Sequence, residues 1–289
     1  MTTAFMRRVD ERASAALESG ALQPIETGQT ELVDGGLRFV VRWVSSLARK
    51  DGAAPAIPGG PRDPDFNPFL SPEPALTVGS LGDTHTAILN KFPVCARHLV
   101  IARREFEEQL APLDLADFTA LAQVLTESGG LGFYNGGTDA GASQRHKHVQ
   151  WLPQAPDNAS LRALLPELPP GAAELTMARH PRYAMKHCFV RVDCDIGTPV
   201  ERAARSLLQA CESAYQELGL RADAAGLLPA ANLLVGDGWM LVVPRSRERF
   251  EGISINSLSY GGAIFVRHIE QIDIVRNVGP LHLLADVGC

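Results

Sequence analysis

The chain has 289 residues and a formal net charge of −6, with 45% hydrophobic and 21% charged residues. This is the composition of an ordinary soluble globular protein, with enough chain for one large core or two moderate ones. The acidic balance argues against bulk binding of nucleic acid, which needs a basic surface to displace counterions, so no nucleic-acid partner is expected.

The first quarter of the chain combines a helix, a strand and a long irregular segment. Residues 5–20 have the spacing of an amphipathic helix, and residues 37–47 are rich in strand formers. Seven of the 20 prolines fall within residues 51–74, so regular structure is not expected there. Both disorder and an ordered binding loop stay open for this segment, because Phe66 and Phe69 make it too aromatic for a plain linker.

The middle of the first half is predicted to contain a hairpin, a helix and a strand. Residues 84–92 and 98–103 are rich in strand formers and are joined by a short turn, which predicts an antiparallel pair. Residues 114–127 carry apolar side chains at helical spacing, with Asp114 placed to cap the helix. A strand at residues 131–134 leads into the glycine-rich stretch that follows.

The most informative stretch is this glycine-rich loop, followed by two spaced histidines and a glutamine. Residues 135–144 are short in side chain and can wrap backbone N–H groups around an anion. His146, His148 and Gln150 follow at every second position, so on a strand all three side chains point to the same face. An anion-binding loop followed by paired imidazoles favours attack by a histidine on a phosphate.

Attack on phosphorus places negative charge on the equatorial oxygens, which then need preorganised hydrogen-bond donors. The side-chain donors close to the motif are Ser143, Gln144 and Gln150, and the loop adds its own N–H groups. The nearby cations that can balance a polyphosphate are Lys91, Arg145 and Lys147. Lys147 is the weakest of these candidates, because it alternates away from the histidine face.

The H-x-H spacing also occurs in metal sites, which is the main competing interpretation. A zinc site needs at least a third ligand, and Asp139 is the only carboxylate close in sequence. The patterns H-x-H-x-D-H and H-E-x-x-H do not occur in the sequence. A metallohydrolase is therefore disfavoured, and no protein-bound metal is predicted.

The second half repeats the pattern of the first in weaker form. Residues 186–193 predict a strand, residues 201–218 a helix, and residues 232–245 a hairpin. This hairpin echoes residues 90–106, which indicates a weak internal repeat. Two related halves of this kind predict an α+β architecture, in which antiparallel sheets carry flanking helices.

The domain and location predictions follow from the same features. We assign residues 1–180 to a catalytic half that carries H-x-H-x-Q, and residues 181–289 to a related half that lacks it. The first residues show no secretory leader, and no apolar run approaches the roughly 20 residues of a membrane span. The five scattered cysteines form no C-x-x-C pair, which indicates reduced thiols. A cytoplasmic protein without a membrane partner is therefore expected, and its oligomeric state is left open.

The run Gly-Ala-Ser-Gln followed by H-x-H-x-Q resembles the ATP adenylyltransferases, also called diadenosine tetraphosphate (Ap4A) phosphorylases. These enzymes belong to the histidine triad superfamily and are close to its galactose-1-phosphate uridylyltransferase branch, so the resemblance implies a histidine-triad-like fold. Further family-like segments occur in the expected order. They are residues 66–74, 89–92, 133–137, 239–246 and 251–256.

The resemblance implies a nucleotidyl transfer through a covalent intermediate. His148 would attack the α-phosphate of the dinucleotide, ATP would leave, and inorganic phosphate would then take the AMP group from His148 to give ADP. His146 would orient the site, and Gln150 would hydrogen-bond the transferred phosphate. His98 fits the early histidine of the superfamily less securely, and core packing stays open for it.

The resemblance also implies residues that hold the substrate. Those for the polyphosphate are Asn90, Lys91, Asn135, Gly136, Gly137, Ser143 and Gln144. The segment from Phe66 to Phe69 would lie over a nucleotide base. Magnesium or another divalent cation is expected to accompany the nucleotide, which suits phosphate chemistry.

Two positions depart from the family pattern. Arg145 stands where family members usually have proline, and Gly136 stands where they often have serine. Arg145 adds a cation beside the phosphates, which leaves the preferred nucleotide donor open, as it leaves the direction of reaction in the cell. The alternatives are a hydrolase that passes the nucleotidyl group to water, and a nucleotide-binding sensor without turnover.

Overall fold

The computed structural model of the chain describes residues 3–44 and 67–289. Its helices are α1 (Ala4–Glu18), α2 (Leu115–Ser128), α3 (Val200–Leu218), α4 (Ser257–Tyr260), α5 (Gln271–Val278) and α6 (Pro280–Val287). Its strands are β1 (Thr27–Asp34), β2 (Leu37–Val44), β3 (Thr77–Leu81), β4 (His85–Leu89), β5 (Leu99–Arg103), β6 (Leu131–Gly136), β7 (His148–Leu152), β8 (Met177–Ala178), β9 (Cys188–Arg191), β10 (Ala231–Gly236), β11 (Trp239–Pro244), β12 (Arg249–Phe250), β13 (Ile253–Ser254) and β14 (Ala263–Val266).

Nine of these strands form one sheet, in the order β3-β4-β5-β7-β6-β10-β11-β9-β8. Every neighbouring pair in this sheet is antiparallel. β6 of the first half pairs with β10 of the second half, with Asn135 opposite Asn232, so the sheet is continuous across both halves. Residue 180 lies between β8 and β9, which both belong to this shared sheet. A domain boundary at residue 180 therefore stays a prediction.

Two cores lie on the large sheet. α2 and α3 pack side by side in one core, to which Val149 and Trp151 of β7 contribute. The other core joins α5, α6 and a small sheet of order β1-β2-β14, and it includes Leu241 of β11. His148 and Gln150 alternate with Val149 and Trp151, so they project from the face of β7 that is turned away from α2. The mixed α+β fold with antiparallel sheets expected from the sequence is confirmed.

The internal repeat is visible in the topology, but with a different register from the predicted one. β5, α2, β6 and β7 form a unit with strand order β5-β7-β6, and β9, α3, β10 and β11 form a unit with strand order β9-β11-β10. The hairpin β10–β11 is thus the counterpart of β6 and β7. The predicted match between residues 232–245 and residues 90–106 is wrong, because residues 90–106 contain β5, whose counterpart is β9. Local similarity of sequence does not show which strands pair.

The helix α2 shows how closely a local signal can predict an element. Its N-cap is Asp114, whose side chain accepts hydrogen bonds from the backbone N–H groups of Ala116 and Asp117. The Asp117 side chain in turn accepts from the backbone N–H of Asp114, which completes a capping box. None of the described helices is both long and apolar enough to cross a membrane.

The remaining differences concern element ends. β7 begins at His148, and His146 precedes it in an isolated bridge opposite Glu108. Of the three motif residues, only His148 and Gln150 therefore lie in a regular strand. The predicted strand at residues 37–47 is β2 up to its end at residue 44. Most of the proline-rich segment lies outside the described residues.

Candidate active site

His148 lies at the start of β7, between the paired neighbours β5 and β6. The residue is 6% exposed, and Nδ1 of its imidazole lies 2.8 Å from the carbonyl oxygen of His146. Because a carbonyl oxygen only accepts, Nδ1 carries the proton and Nε2 carries the lone pair. Among the described residues, Nε2 of His148 has no hydrogen-bond partner. Burial lowers the pKa of His148 to about 4, so the ring is neutral at pH 7 and Nε2 is available as a nucleophile.

Gln109 forms hydrogen bonds with the backbone of His148. Its Oε1 accepts from the backbone N–H of His148 at 2.8 Å, and its Nε2 lies 3.1 Å from the His148 carbonyl oxygen. The same Nε2 donates to the carbonyl oxygen of Asn135 at 2.9 Å, which ties β7 to the end of β6. Sequence reasoning missed Gln109, whose signal is weak: a single buried amide in an irregular stretch.

His146 uses both of its ring nitrogens for structure. Its Nε2 donates to the carbonyl oxygen of Arg103 at 2.7 Å, and its Nδ1 accepts from Nδ2 of Asn67 at 2.9 Å. His146 therefore has no free lone pair for attack, and it acts on the site through its backbone carbonyl. Asn67 was not predicted as a site residue, although it lies within a family-like segment.

Phe69 packs against the imidazoles of the motif. Its ring centroid lies 5.6 Å from that of His146 and 5.0 Å from that of His148. These contacts place Phe69 beside the two histidines. The position of residues 66–69 over a nucleotide base stays a prediction. Phe66 lies outside the described residues.

A chain of three side chains fixes the amide of Gln150. Asn90 donates from Nδ2 to Nδ1 of His98 at 3.0 Å, and Nε2 of His98 donates to Oε1 of Gln150 at 2.9 Å. With Oε1 engaged, the NH₂ group of Gln150 is turned away from His98 and can donate to a ligand. Burial lowers the pKa of His98 to about 4, so this ring also stays neutral. His98 thus contacts Gln150 directly, and its membership of the site stays a prediction.

Asn135 and Gly136 connect the glycine-rich loop to the second half. Oδ1 of Asn135 accepts from Nδ2 of Asn232 at 2.9 Å and from the backbone N–H of Ser257 at 2.9 Å, so this oxygen is already committed. A Cβ on Gly136 would lie 2.9 Å from the carbonyl oxygen of Ala231. A side chain here would therefore require β10 to shift, whatever the loop binds.

The loop itself turns through left-handed backbone. Gly137 and Gly141 both have φ of 87°, which L-residues with a Cβ rarely adopt. Ser143 is exposed and Gln144 is half-buried, and neither side chain has a hydrogen-bond partner among residues 3–44 and 67–289. Both donors are therefore unengaged in this structure, and their role as phosphate ligands stays a prediction.

The three candidate cations differ in their surroundings. Lys91 is partly exposed and its Nζ lies 2.8 Å from a carboxylate oxygen of Glu73. Arg145 is well exposed and pairs with Glu108. Lys147 is completely buried on the opposite face of the strand, so it cannot reach a polyphosphate beside His148. This burial agrees with the sequence prediction that Lys147 is the weakest of the three candidates for binding phosphate.

Potential metal ligands and cavities elsewhere in residues 3–44 and 67–289 also bear on where the chemistry takes place. No group of three or more histidine, cysteine, aspartate or glutamate side chains in those ranges is arranged to hold a metal ion. A cavity of about 420 Å³ lies at the far end of β7, where Gln154 and Arg162 line it. It does not include His148, and its Arg162 is paired with Asp237, so the chemistry is better placed at the histidines.

Comparison with known proteins gives a consistent result along the whole chain. The model of the Ap4A phosphorylase N-terminal domain matches residues 1–166, and the model of the ATP adenylyltransferase C-terminal domain matches residues 181–289. Two proteins of Saccharomyces cerevisiae are each 26% identical. They are diadenosine 5',5'''-P1,P4-tetraphosphate phosphorylase 2 (92% of this chain, 88% of the relative) and protein APA1 (91% and 86%).

Solved structures show the same fold. The crystal structure of yeast Ap4A phosphorylase Apa2 matches with a TM-score of 0.78 at 23% identity, and covers 100% of this chain and 95% of that one. The structure of Apa2 in complex with Ap4A matches with a TM-score of 0.74 at 23% identity, with coverage of 100% and 98%. The family resemblance and the enzyme class expected from the sequence are confirmed: the chain belongs to the family of Ap4A phosphorylases and ATP adenylyltransferases.

Proposed function

We propose that the chain phosphorolyses Ap4A to ATP and ADP through an adenylyl group carried on Nε2 of His148. The observation that carries this proposal is the hydrogen bond from Nδ1 of His148 to the His146 carbonyl, together with burial. The bond fixes the proton on one ring nitrogen, and burial keeps the ring neutral, so the other nitrogen is a nucleophile at pH 7.

The reaction takes place in two displacements. Nε2 of His148 attacks the α-phosphorus, the bond from that phosphorus to its bridging oxygen breaks, and ATP leaves with the electron pair. An oxygen of inorganic phosphate then attacks the same phosphorus, the N–P bond breaks, and ADP leaves with the neutral imidazole restored. The His146 carbonyl stabilises the positive charge that the ring carries while it is bonded to phosphorus.

The side chains around His148 supply what the transferred phosphate needs. The NH₂ group of Gln150, oriented by His98, donates to an equatorial oxygen. The proposed ligands of the remaining phosphates are Asn90, Lys91, Ser143, Gln144 and the backbone of Gly136 and Gly137. Lys91 would exchange Glu73 for phosphate when the nucleotide binds.

The wider setting of the reaction is also a proposal. Magnesium or another divalent cation would arrive with the nucleotide and balance the charge of its phosphates, without a site formed by the protein alone. Inorganic phosphate is the second substrate, nucleic acid is no partner, and the cytoplasm is the expected location.

The test is to incubate the protein with Ap4A and a divalent cation, with and without inorganic phosphate. Repeated turnover to equal amounts of ATP and ADP only when phosphate is present, with no more than one ATP released per protein molecule in its absence, supports the proposal. ATP and AMP in the absence of phosphate would instead show transfer to water, and tight binding without products would show a nucleotide sensor. A panel of nucleotide donors in the same assay identifies the preferred substrate and the effect of Arg145.

A further inference from the structure

Lys147 separates the two histidines of the motif and is itself 0% exposed. Its side chain points away from the histidine face, toward the N-terminal end of α2. Its Nζ lies 2.9 Å from Oε1 of Glu107, 3.0 Å from Oδ2 of Asp117 and 2.6 Å from the carbonyl oxygen of Pro112. Three oxygens match the three donors of an ammonium group, so the buried cation is fully satisfied.

Asp117 is the centre of this cluster. Besides Lys147, its carboxylate contacts Nε2 of His85 at 3.0 Å and Nε of Arg103 at 2.9 Å. Burial alone would raise the pKa of Asp117, but hydrogen bonds from His85 and Arg103 and the charge of Lys147 hold that pKa well below its usual range. We call these residues and Glu107 the buried ion cluster: His85, Asp117 and Lys147 are buried, and Arg103 and Glu107 are partly exposed at its edge.

The cluster meets the hydrogen bond of His148 at the peptide unit that joins His146 to Lys147. The N–H of this peptide donates to the carbonyl oxygen of Glu107 at 2.8 Å. The C=O of the same peptide accepts the proton of Nδ1 of His148 at 2.8 Å. Because a peptide is planar, the contact that fixes its N–H also fixes the direction of its C=O.

The cluster also contacts the chain on either side of this peptide, at the ring of His146 and at the carbonyl oxygen of Lys147. The side chain of Lys147 binds the carboxylate of Glu107, whose backbone accepts the peptide N–H. The backbone N–H of Arg103 donates to the carbonyl oxygen of Lys147 at 3.1 Å, and the backbone carbonyl of Arg103 accepts from the ring of His146. Lys147, Glu107 and Arg103 thus lie on a short path to the hydrogen bond that sets the tautomer of His148.

We propose that Lys147 is a positioning residue for the adenylyl transfer. Through the buried ion cluster it holds the His146–Lys147 peptide in the one orientation that keeps the proton of His148 on Nδ1 and the lone pair on Nε2. A buried ion pair is a poor source of net stability compared with apolar packing of similar volume. Its value here lies in directing one carbonyl group, since apolar contacts do not fix the rotation of a peptide plane.

The first readout is the imidazole tautomer of His148, measured by ¹⁵N NMR on the protein without substrate. The variant is Lys147→Met, which keeps the length of the side chain and removes its charge. We expect a single Nδ1–H tautomer in the original protein and a mixture of both tautomers in the variant. A milder variant, Glu107→Gln, is expected to change the tautomer in the same direction and serves if Lys147→Met does not fold.

The second readout is the rate of adenylylation in a single turnover. We expect Lys147→Met to slow this step about 10- to 100-fold, because small misplacement of a reacting group has effects of that size, while the KM for Ap4A stays close to its original value. Two matched controls separate positioning from stability. Lys186→Met removes an exposed lysine, and Leu121→Ala destabilises α2 without touching the peptide.

Opposite results overturn the inference. A folded Lys147→Met or Glu107→Gln variant that keeps the single tautomer and the original rate would do so, as would an equal loss of rate in Leu121→Ala at the same loss of thermal stability. The inference rests on the proposed role of His148, yet the two can fail separately. If the original protein is never adenylylated, the function is wrong, whereas the tautomer measurement still decides the positioning role.

Discussion

The neutrality of His148 is the property that links its surroundings to its reactivity. An exposed histidine titrates near pH 6.5, so part of it is protonated and unreactive at cellular pH. Burial lowers the pKa of His148 to about 4, and the neighbouring ring of His146 adds to this by a smaller effect. The hydrogen bond to the His146 carbonyl works in the other direction but decides which nitrogen keeps the proton.

The pH dependence of adenylylation follows from this shift. The neutral ring is the nucleophile, so the single-turnover rate should stay constant from pH 8 down to about pH 5 and fall only as the pH approaches about 4. A rate that falls with a midpoint near 6.5 would show that His148 is solvated and titrates normally.

Stability must be followed over the same range, because buried neutral histidines also make folding depend on pH. The pKa values of His98 and His148 are about 4 in the folded chain and near 6.5 when the chain is unfolded. The unfolded chain therefore binds more protons between these values, and the free energy of unfolding falls as the pH drops from 6.5 toward 4. A rate is counted only where circular dichroism shows a folded protein.

Gln150 should matter for the chemical step rather than for binding. Gln150→Ala removes one preorganised donor to the phosphate, so kcat is expected to fall roughly 100-fold or more. His98→Ala should give a smaller loss of kcat, because it leaves the amide present but free to rotate. Steady-state kinetics with Ap4A measures both. If both variants keep the original kcat, the amide takes no part in the transfer.

At the scale of elements, local patterns predicted what local forces decide. The spacing of apolar residues and the cap at Asp114 located α2, and the alternation at His146, Lys147 and His148 correctly separated the two faces. The role of Gln109 and of the Glu107 backbone could not be predicted, because these residues contact the motif only after folding has brought them close to it. The predicted alignment of the two halves was wrong for the same reason, because strand pairing depends on contacts between residues that are distant in sequence.

The cap of α2 has a measurable contribution to stability. Asp114→Ala removes the acceptor for two backbone N–H groups and is expected to lower the free energy of unfolding by about 1 kcal/mol. Glu127→Ala, an exposed change in the last turn of the same helix, should change stability little. Urea denaturation of the two variants provides the comparison, and equal midpoints would show that the cap contributes nothing.

At the scale of the whole molecule, the two similar halves of the large sheet pack against different elements. The strands β11 and β9 of the second half lie under the core formed with α5, α6 and the small sheet. The corresponding strands of the first half carry His148, Gln150 and the adjoining His98 instead. The sequence revealed which half carries the motif, but it could not reveal that the other half is covered, because the covering elements come from both ends of the described chain.

The continuous sheet predicts that both halves unfold together. Trp151 lies in β7 of the first half and Trp239 in β11 of the second half. Variants that lack Trp43 and keep only one of these two tryptophans should show the same denaturation midpoint by fluorescence, and the midpoint should agree with circular dichroism. Two separated midpoints would show that the halves are independent domains despite the shared sheet.

The most direct measurement concerns the bond between His148 and phosphorus. The protein is incubated with Ap4A labelled at its α-phosphates, without inorganic phosphate, and its peptides are then mapped under conditions that preserve phosphoramidates. We predict label on the peptide that contains His148, release of this label as ADP when phosphate is added, and no label in a folded His148→Ala variant. Label on a different residue, or label that persists in His148→Ala, would contradict the account.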